Sequence, residues 1–177
     1  MNSTRIAAFI ICAAFAMGTD AFAQVKAGLN EINFTAALTG TKVDDGDTTT
    51  AFTFTGSYGR FLTDRFEVGP QLAFFKSEGV DTFGSINGFA AYHFAPDSNV
   101  VPFAGGQIGT GFGQDTTVTD NPWQFGFFGG IKAFIGEGGG AVTIQPFWTR
   151  RLIHETVFDT TTHIDSFGAT AGISIFF

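Results

Sequence analysis

From Glu31 to the last residue, Phe177, apolar side chains recur at every second position, run after run. The closing stretch SFGATAGISIFF shows the pattern: Phe167, Ala169, Ala171, Ile173 and Ile175 alternate with Ser166, Gly168, Thr170, Gly172, Ser174 and Phe176. A period of two belongs to a strand with two unlike faces. Eight such runs can be counted, separated by clusters of Gly, Asp, Asn, Pro and Thr. They are EINFTAALT (31–39), AFTFTGSYGRF (51–61), FEVGPQLAFFK (66–76), FGSINGFAAYHF (83–94), VPFAGGQIGTGF (101–112), PWQFGFFGGIKAFI (122–135), AVTIQPFWTRRL (141–152) and the closing run from about Asp165. Glycine leaves the facing of the fifth run open, and in the sixth Phe128 and Phe134 fall on the less apolar side.

Alternation alone does not say which face meets water, because a soluble eight-stranded barrel alternates too. The make-up of the less apolar face decides it. A water-facing surface carries roughly 25–35% charged residues. Here that face reads Thr, Ser, Gly, Asn and Gln, and the only charges in all eight runs are Glu31, Arg60, Glu67, Lys76, Lys132, Arg150, Arg151 and Asp165. Such a face suits a narrow interior, and the other, drawn from 24 phenylalanines, suits lipid. Only 14% of the chain is charged, against about 25% in an ordinary soluble domain. After residue 23 no apolar stretch is long enough for a spanning helix. The expected fold is therefore all-β: a closed, antiparallel, up-and-down, eight-stranded transmembrane β-barrel, which satisfies its backbone hydrogen bonds between strands. Tyr92, Trp123 and Trp148 fall near run ends, where aromatic rings favour the headgroup boundary, and Arg60 is expected to snorkel at the rim beside Tyr58.

The amino terminus places this barrel in the secretory route. Arg5 precedes the uncharged run IAAFIICAAFAMG and then AFAQ, the pattern of a secretory signal peptide cleaved after Ala23. Residues 1–23 are thus expected to be removed, leaving 24–177 as a single barrel domain. The one cysteine, Cys12, lies in the signal run, so no disulfide is expected. A formal charge of −7 argues against nucleic acid as a partner. Between the runs, connections of 11 residues (40–50), 9 (113–121) and 12 (153–164) contrast with LTDR, APDSNV and GEGGG. Only SEGVDT after the third run departs from this alternation of long loops and short turns, which is that of outer-membrane barrels.

YGRFLTDRFEVG, YHFAPDSNVVPFAGGQIGTGFG and the terminal GATAGISIFF resemble the turn and strand signatures of small outer-membrane barrels of the OmpX-like and OmpW-like kind. The resemblance spans residues 24–177 and is one of pattern. It implies a monomer in the outer membrane of a Gram-negative cell envelope, with turns and amino terminus in the periplasm and longer loops outside. It implies lipid and lipopolysaccharide as surroundings. It also implies that the barrel-assembly machinery reads the final strand, with Phe177 as the assembly signal.

Four charged residues share the inward face: Glu31, Glu67, Lys132 and Arg151. Unpaired charges in a lumen are costly, so they are expected to form a network, with Glu67 and Lys132 as the foremost pair. That network either fills the barrel or gates an ion path. An eight-stranded barrel is just wide enough for its side chains to fill it, which favours the structural role. Phe75, Phe89, Phe103, Phe128, Phe134 and Phe147 also point inward, to plug the lumen or to line a narrow channel for small hydrophobic compounds, the alternative that the OmpW-like resemblance suggests. For catalysis the nearest set is His154, Glu155, Thr156, Asp159, His163 and Asp165, without a well-placed nucleophile beyond the inward Ser166. Asp44, Asp45 and Asp47 stand close together in the first loop without a complete calcium-loop pattern. The expected protein is non-enzymatic, needs no cofactor or metal, and acts structurally or through its surface loops.

Overall fold

The computed structural model describes residues 25–43, 48–77, 82–112, 122–135, 139–155 and 160–177. The expected signal peptide and the Asp44, Asp45 and Asp47 cluster lie outside them. Eight strands follow in chain order: β1 (Asn30–Val43), β2 (Thr48–Phe61), β3 (Phe66–Ser77), β4 (Phe83–His93), β5 (Val100–Phe112), β6 (Trp123–Ile135), β7 (Gly140–Glu155) and β8 (Thr160–Phe176). Each pairs antiparallel with its neighbours, and β8 returns to β1 to close the barrel. Closure is completed at the chain end, where Asn30 and Phe177 exchange N–H···O bonds of 2.9 and 3.1 Å.

Every ladder keeps a single register from end to end, so no bulge disturbs the alternation even in the glycine-rich strands. Followed from partner to partner, Asn33 leads through Ser57, Gln71, Asn87, Gly109, Gln124, Arg151 and Ile164 back to Val43 on β1. One circuit therefore climbs ten residues, a stagger that tilts the strands by about 40°. The climb decides which inward residues meet, because those on one hydrogen-bonded row stand at different heights.

The two faces sort as the alternation requires. Phe34, Leu38, Phe52, Phe54, Leu72, Phe74, Ile86, Ile108, Phe125, Phe127, Phe167, Ile173 and Ile175 are all more than a third exposed on the outside. Inside, Thr35, Thr53, Gln71, Ser85, Asn87, Gln124, Thr143, Thr149, Thr170 and Ser174 are buried. A closed barrel with an apolar belt outside and a polar interior is a membrane-spanning design. Among the described residues no helix is long and apolar enough to cross a membrane.

Two expected long loops are mostly strand. Residues 40–43 and 48–50 extend the β1–β2 hairpin, with Gly40, Thr41 and Lys42 opposite Thr50, Thr49 and Thr48. The β7–β8 hairpin likewise continues to Glu155 and Thr160. Polar residues there look like loop, but a strand that rises past the bilayer has water on its outer face and needs no apolar alternation. The runs Thr48–Thr50 and Thr160–Thr162 are β-branched and suit that extension.

At the opposite end, called here the turn rim, the connections are tight. In the 62–65 turn the Thr63 hydroxyl accepts from the amides of Arg65 (3.3 Å) and Phe66 (3.0 Å), while the Asp64 carboxylate accepts from the Ala27 amide at 2.9 Å. The segment ahead of β1 thereby folds across the mouth. Gly28 makes this possible with φ of +87°, a left-handed conformation that favours glycine, and its amide donates to the Phe61 carbonyl at 2.8 Å.

Candidate functional site in the barrel lumen

The strand starts and ends at the turn rim carry the ionisable groups. Glu31 is the second residue of β1, Glu67 the second of β3, His93 the last of β4, and Lys132 stands three residues from the end of β6. All four face inward at nearly one height and all are at least 96% buried. Lys132 Nζ pairs most closely with Glu31 and lies 3.3 Å from Glu67 Oε2. His93 Nε2 is 2.9 Å from the same Glu67 oxygen, and among the described residues its Nδ1 has no hydrogen-bond partner. Asn33 ties Glu31 to the wall, donating to Ser174 Oγ at 2.8 Å and Thr143 Oγ1 at 3.2 Å. Gly59 leaves room for the Glu67 side chain, into which a Cβ at that position would run.

Aromatic rings enclose this cluster. Lys132 Nζ sits 5.1 Å from the centre of the Phe103 ring and 5.8 Å from those of Phe61 and Phe176. The His93 ring stacks on Phe103 at 5.7 Å. Below, Val25, Phe61, Val101, Phe134, Ala141 and Phe176 form a buried apolar cluster that Leu29 joins. Above, Ala91, Phe103 and Phe128 form another, with Phe89 and Phe147 against it. The inward phenylalanines therefore stand in layers across the lumen.

Arg151 stands apart from the other three charged residues picked out by the alternation. It lies eleven residues along β7 from Gly140, against three along β6 for Lys132, which places it higher by roughly 20 Å at about 3.3 Å per residue and a 40° tilt. Its guanidinium lies 4.0 Å from the centre of the Phe83 ring and donates to Gln124 Oε1 at 3.3 Å. Gln124 in turn donates to Asn87, which reaches Ser85 at 3.2 Å and Gln71 at 3.4 Å. Among the described residues no carboxylate pairs with Arg151, and its Nε has no partner. Sharing a face does not bring two residues together when they stand at different distances from the turn rim.

His93 completes the lower cluster without having been singled out by sequence. Its inward parity at the end of β4 was the available signal, but nothing local marks it as meeting a residue 26 positions away. Val25 was missed too, since it lies outside every alternating run yet is only 1% exposed.

The space left inside is small. One cavity of about 30 Å³ is lined by Glu31, Asn33, Glu67, Gln71, Lys132 and Gln145 among others, and a second of about 20 Å³ by Gln71, Gln107, Gln145, Phe147 and Thr149 among others. A water requires some 10–15 Å³ on this measure, so each holds one or two. Of the set considered for catalysis, His154, Glu155, Thr156 and Asp159 have side chains outside the described residues. His163 is exposed, Asp165 is engaged by Arg150, and Ser166 is buried on the opposite face of β8. Among the described residues no group of three or more His, Cys, Asp or Glu side chains is placed so that it could hold a metal ion.

Solved structures share this barrel. Neisserial surface protein A superposes with a TM-score of 0.65 and 16% identity, over 84% of this chain and 98% of that one. The chain has the fold of the small outer-membrane β-barrels. The amino-terminal β-barrel domain of OprF from Pseudomonas aeruginosa gives a TM-score of 0.52 at 17% identity, over 85% of this chain and 98% of that domain. No protein-family profile matches the chain, and no curated protein is detectably similar in sequence. In an outer-membrane barrel the phenylalanine face is the lipid belt. Tyr92 at the turn rim then falls at its boundary, where its hydroxyl accepts from Arg65 at 3.2 Å and its ring meets Phe94 edge-on at 5.2 Å.

Proposed function

We propose that this protein is a non-enzymatic, monomeric outer-membrane barrel with a structural or surface-interaction role exercised through its external loops. The filled lumen carries this reading. Two aromatic layers cross it, an ion-paired cluster lies between them, and the two cavities described beside them, of about 30 and 20 Å³, hold water and nothing larger. A hydrophobic compound in transit would have to displace Phe103 and Phe128, both at least 91% buried. The loop rim, where β1–β2 and β7–β8 rise beyond the belt, is left as the part free to meet other molecules, with lipopolysaccharide around it.

Proteoliposome flux separates this reading from a narrow channel for small hydrophobic compounds. Vesicles carrying the refolded barrel should admit sugars, amino acids and small aromatic compounds no faster than empty vesicles. Fast uptake that Ala91→Phe abolishes would overturn the structural role. For assembly, Phe177 is 59% exposed on the outer wall beside β1, reachable by the barrel-assembly machinery. Phe177→Ala should slow insertion by that machinery while leaving the melting temperature of the inserted barrel nearly unchanged. An equal insertion rate would remove Phe177 from the role of signal.

A further inference from the structure

Two adjacent arginines of β7 are treated differently by the fold. Arg150 faces outward with 39% of its side chain exposed, and Asp165 accepts from it through two oxygens, at 2.8 and 2.7 Å. Arg151 points the other way, into the lumen, and is 95% buried. Lys132, the other buried cation among the described residues, has two carboxylates, whereas Arg151 has none among them. Water would compensate the exposed arginine in any case. The buried one needs an opposite charge to offset its desolvation.

The surroundings of Arg151 show where that charge would stand. Its guanidinium carbon lies 4.0 Å from the centre of the Phe83 ring and 5.7 Å from that of Phe75, and the two rings stack on each other at 5.0 Å. A ring covers the flat face of a guanidinium and leaves the N–H groups in its plane to find acceptors elsewhere. Of the five N–H donors an arginine carries, Nη2 gives one to Gln124 Oε1 at 3.3 Å, and Nε–H has no partner among the described residues. Gln124 is held in that pose because its amide nitrogen donates to Asn87, which reaches Ser85 and Gln71. On the Nε side the wall is bare. The inward position of β5 there is Gly111, and a Cβ on it would stand 3.6 Å from Nε. The amide of Gly111 donates to the Pro122 carbonyl at 2.9 Å, which fixes the strand beside the unpartnered donor.

We infer that Arg151 is an anion-binding residue, and that the upper lumen takes one small monovalent carboxylate from solution, bound through Nε–H and a neighbouring Nη–H. The lone positive charge sets the valence, because a divalent sulfate or phosphate would keep one negative charge uncompensated among rings and amides. The planar fork of donors sets the class: a carboxylate meets two parallel N–H groups with two oxygens, and a halide has one centre to offer. The absent side chain at Gly111 sets the size, that of formate or acetate. Arg151 lies eleven residues along β7 from the turn rim, above the Phe103–Phe128 layer, so the anion enters from the loop rim without crossing the seal.

Side-chain NMR of the isotope-labelled, refolded barrel in detergent tests this. The Arg151 Nε–H resonance, assigned by its loss in Arg151→Lys, should shift downfield and saturate as sodium formate or acetate is added at constant ionic strength. Chloride and sulfate should bind about tenfold more weakly, the weight of one charge-assisted hydrogen bond. Gly111→Ala, which puts a methyl group beside Nε, should weaken formate binding by a similar factor of about ten while the resonance persists. Formate should also raise the melting temperature of the native chain and leave that of Arg151→Gln unchanged, with the heat-dependent gel mobility of a folded barrel checking each variant. A resonance that no anion moves, as when a carboxylate of the chain already holds Nε–H, overturns the site. So does a resonance that chloride moves as readily as formate, or a formate-dependent rise in melting temperature that persists in folded Arg151→Gln.

Discussion

Lys132 meets two carboxylates and three aromatic rings, and it shows what a single residue does in this lumen. Its own burial is costly, and so is that of Glu31 and Glu67; the three are tolerable because they are placed together. Removing one partner of a buried ion pair commonly costs about 3–5 kcal/mol, because the remaining charge keeps its desolvation penalty. Lys132→Met, which leaves two carboxylates facing each other, should fall at the upper end of that range in urea unfolding from detergent. Glu67→Gln should cost less, since Lys132 keeps Glu31, and a stability loss equal to that of Lys132→Met would contradict this ordering. The alternation made the inward direction of Glu31, Glu67, Lys132 and Arg151 legible. Distance from the turns already set Arg151 apart, eleven residues along β7, but the alternation could not show that the other three converge across the lumen, because that depends on the closed wall.

At the scale of the element, the strands outrun the membrane. β7 has 16 residues and β8 has 17, where roughly 9–11 tilted residues span a bilayer. The extra turns of hairpin are paired backbone, so their amides should be protected. Hydrogen exchange is expected to be slow at Thr41 and Thr49 and at Ile153 and Thr162, with rates nearer those of the belt than those of an open loop. Exchange at loop rates in these positions would mean that the hairpins fray at the membrane surface. Sequence reading stopped the strands early because it looked for apolar alternation, and above the belt the outer face has no reason to be apolar. The β-branched threonines were the residual signal, and they resemble the polar composition of a loop.

For the whole molecule, sealing is distributed. The segment before β1 puts Val25 into the lower apolar cluster, and the Phe103–Phe128 layer closes the lumen again above the charged cluster. Val25→Asp should lower unfolding stability by about 2–3 kcal/mol or more, from lost burial and an added charge below two carboxylates. It should not admit solutes, because the upper layer remains. Solute flux in that variant would show that the amino-terminal segment is the effective seal.

The eight runs, the choice of lipid for the phenylalanine face and the inward parity of the polar residues were all determined by sequence alone, because strand alternation is local and a membrane leaves few architectures to choose from. Even the unpromising end GISIFF was legible in part, with Ile173 and Ile175 turned outward. What the tertiary structure decided was height. The ten-residue climb of the closed barrel set Lys132 among Glu31, Glu67 and His93, and brought Phe176 beside Phe61 and Phe134 in the floor that Val25 joins. No local pattern encodes that offset. It follows from the registers of all eight ladders acting together, and it turns a set of inward residues into a sealed lumen.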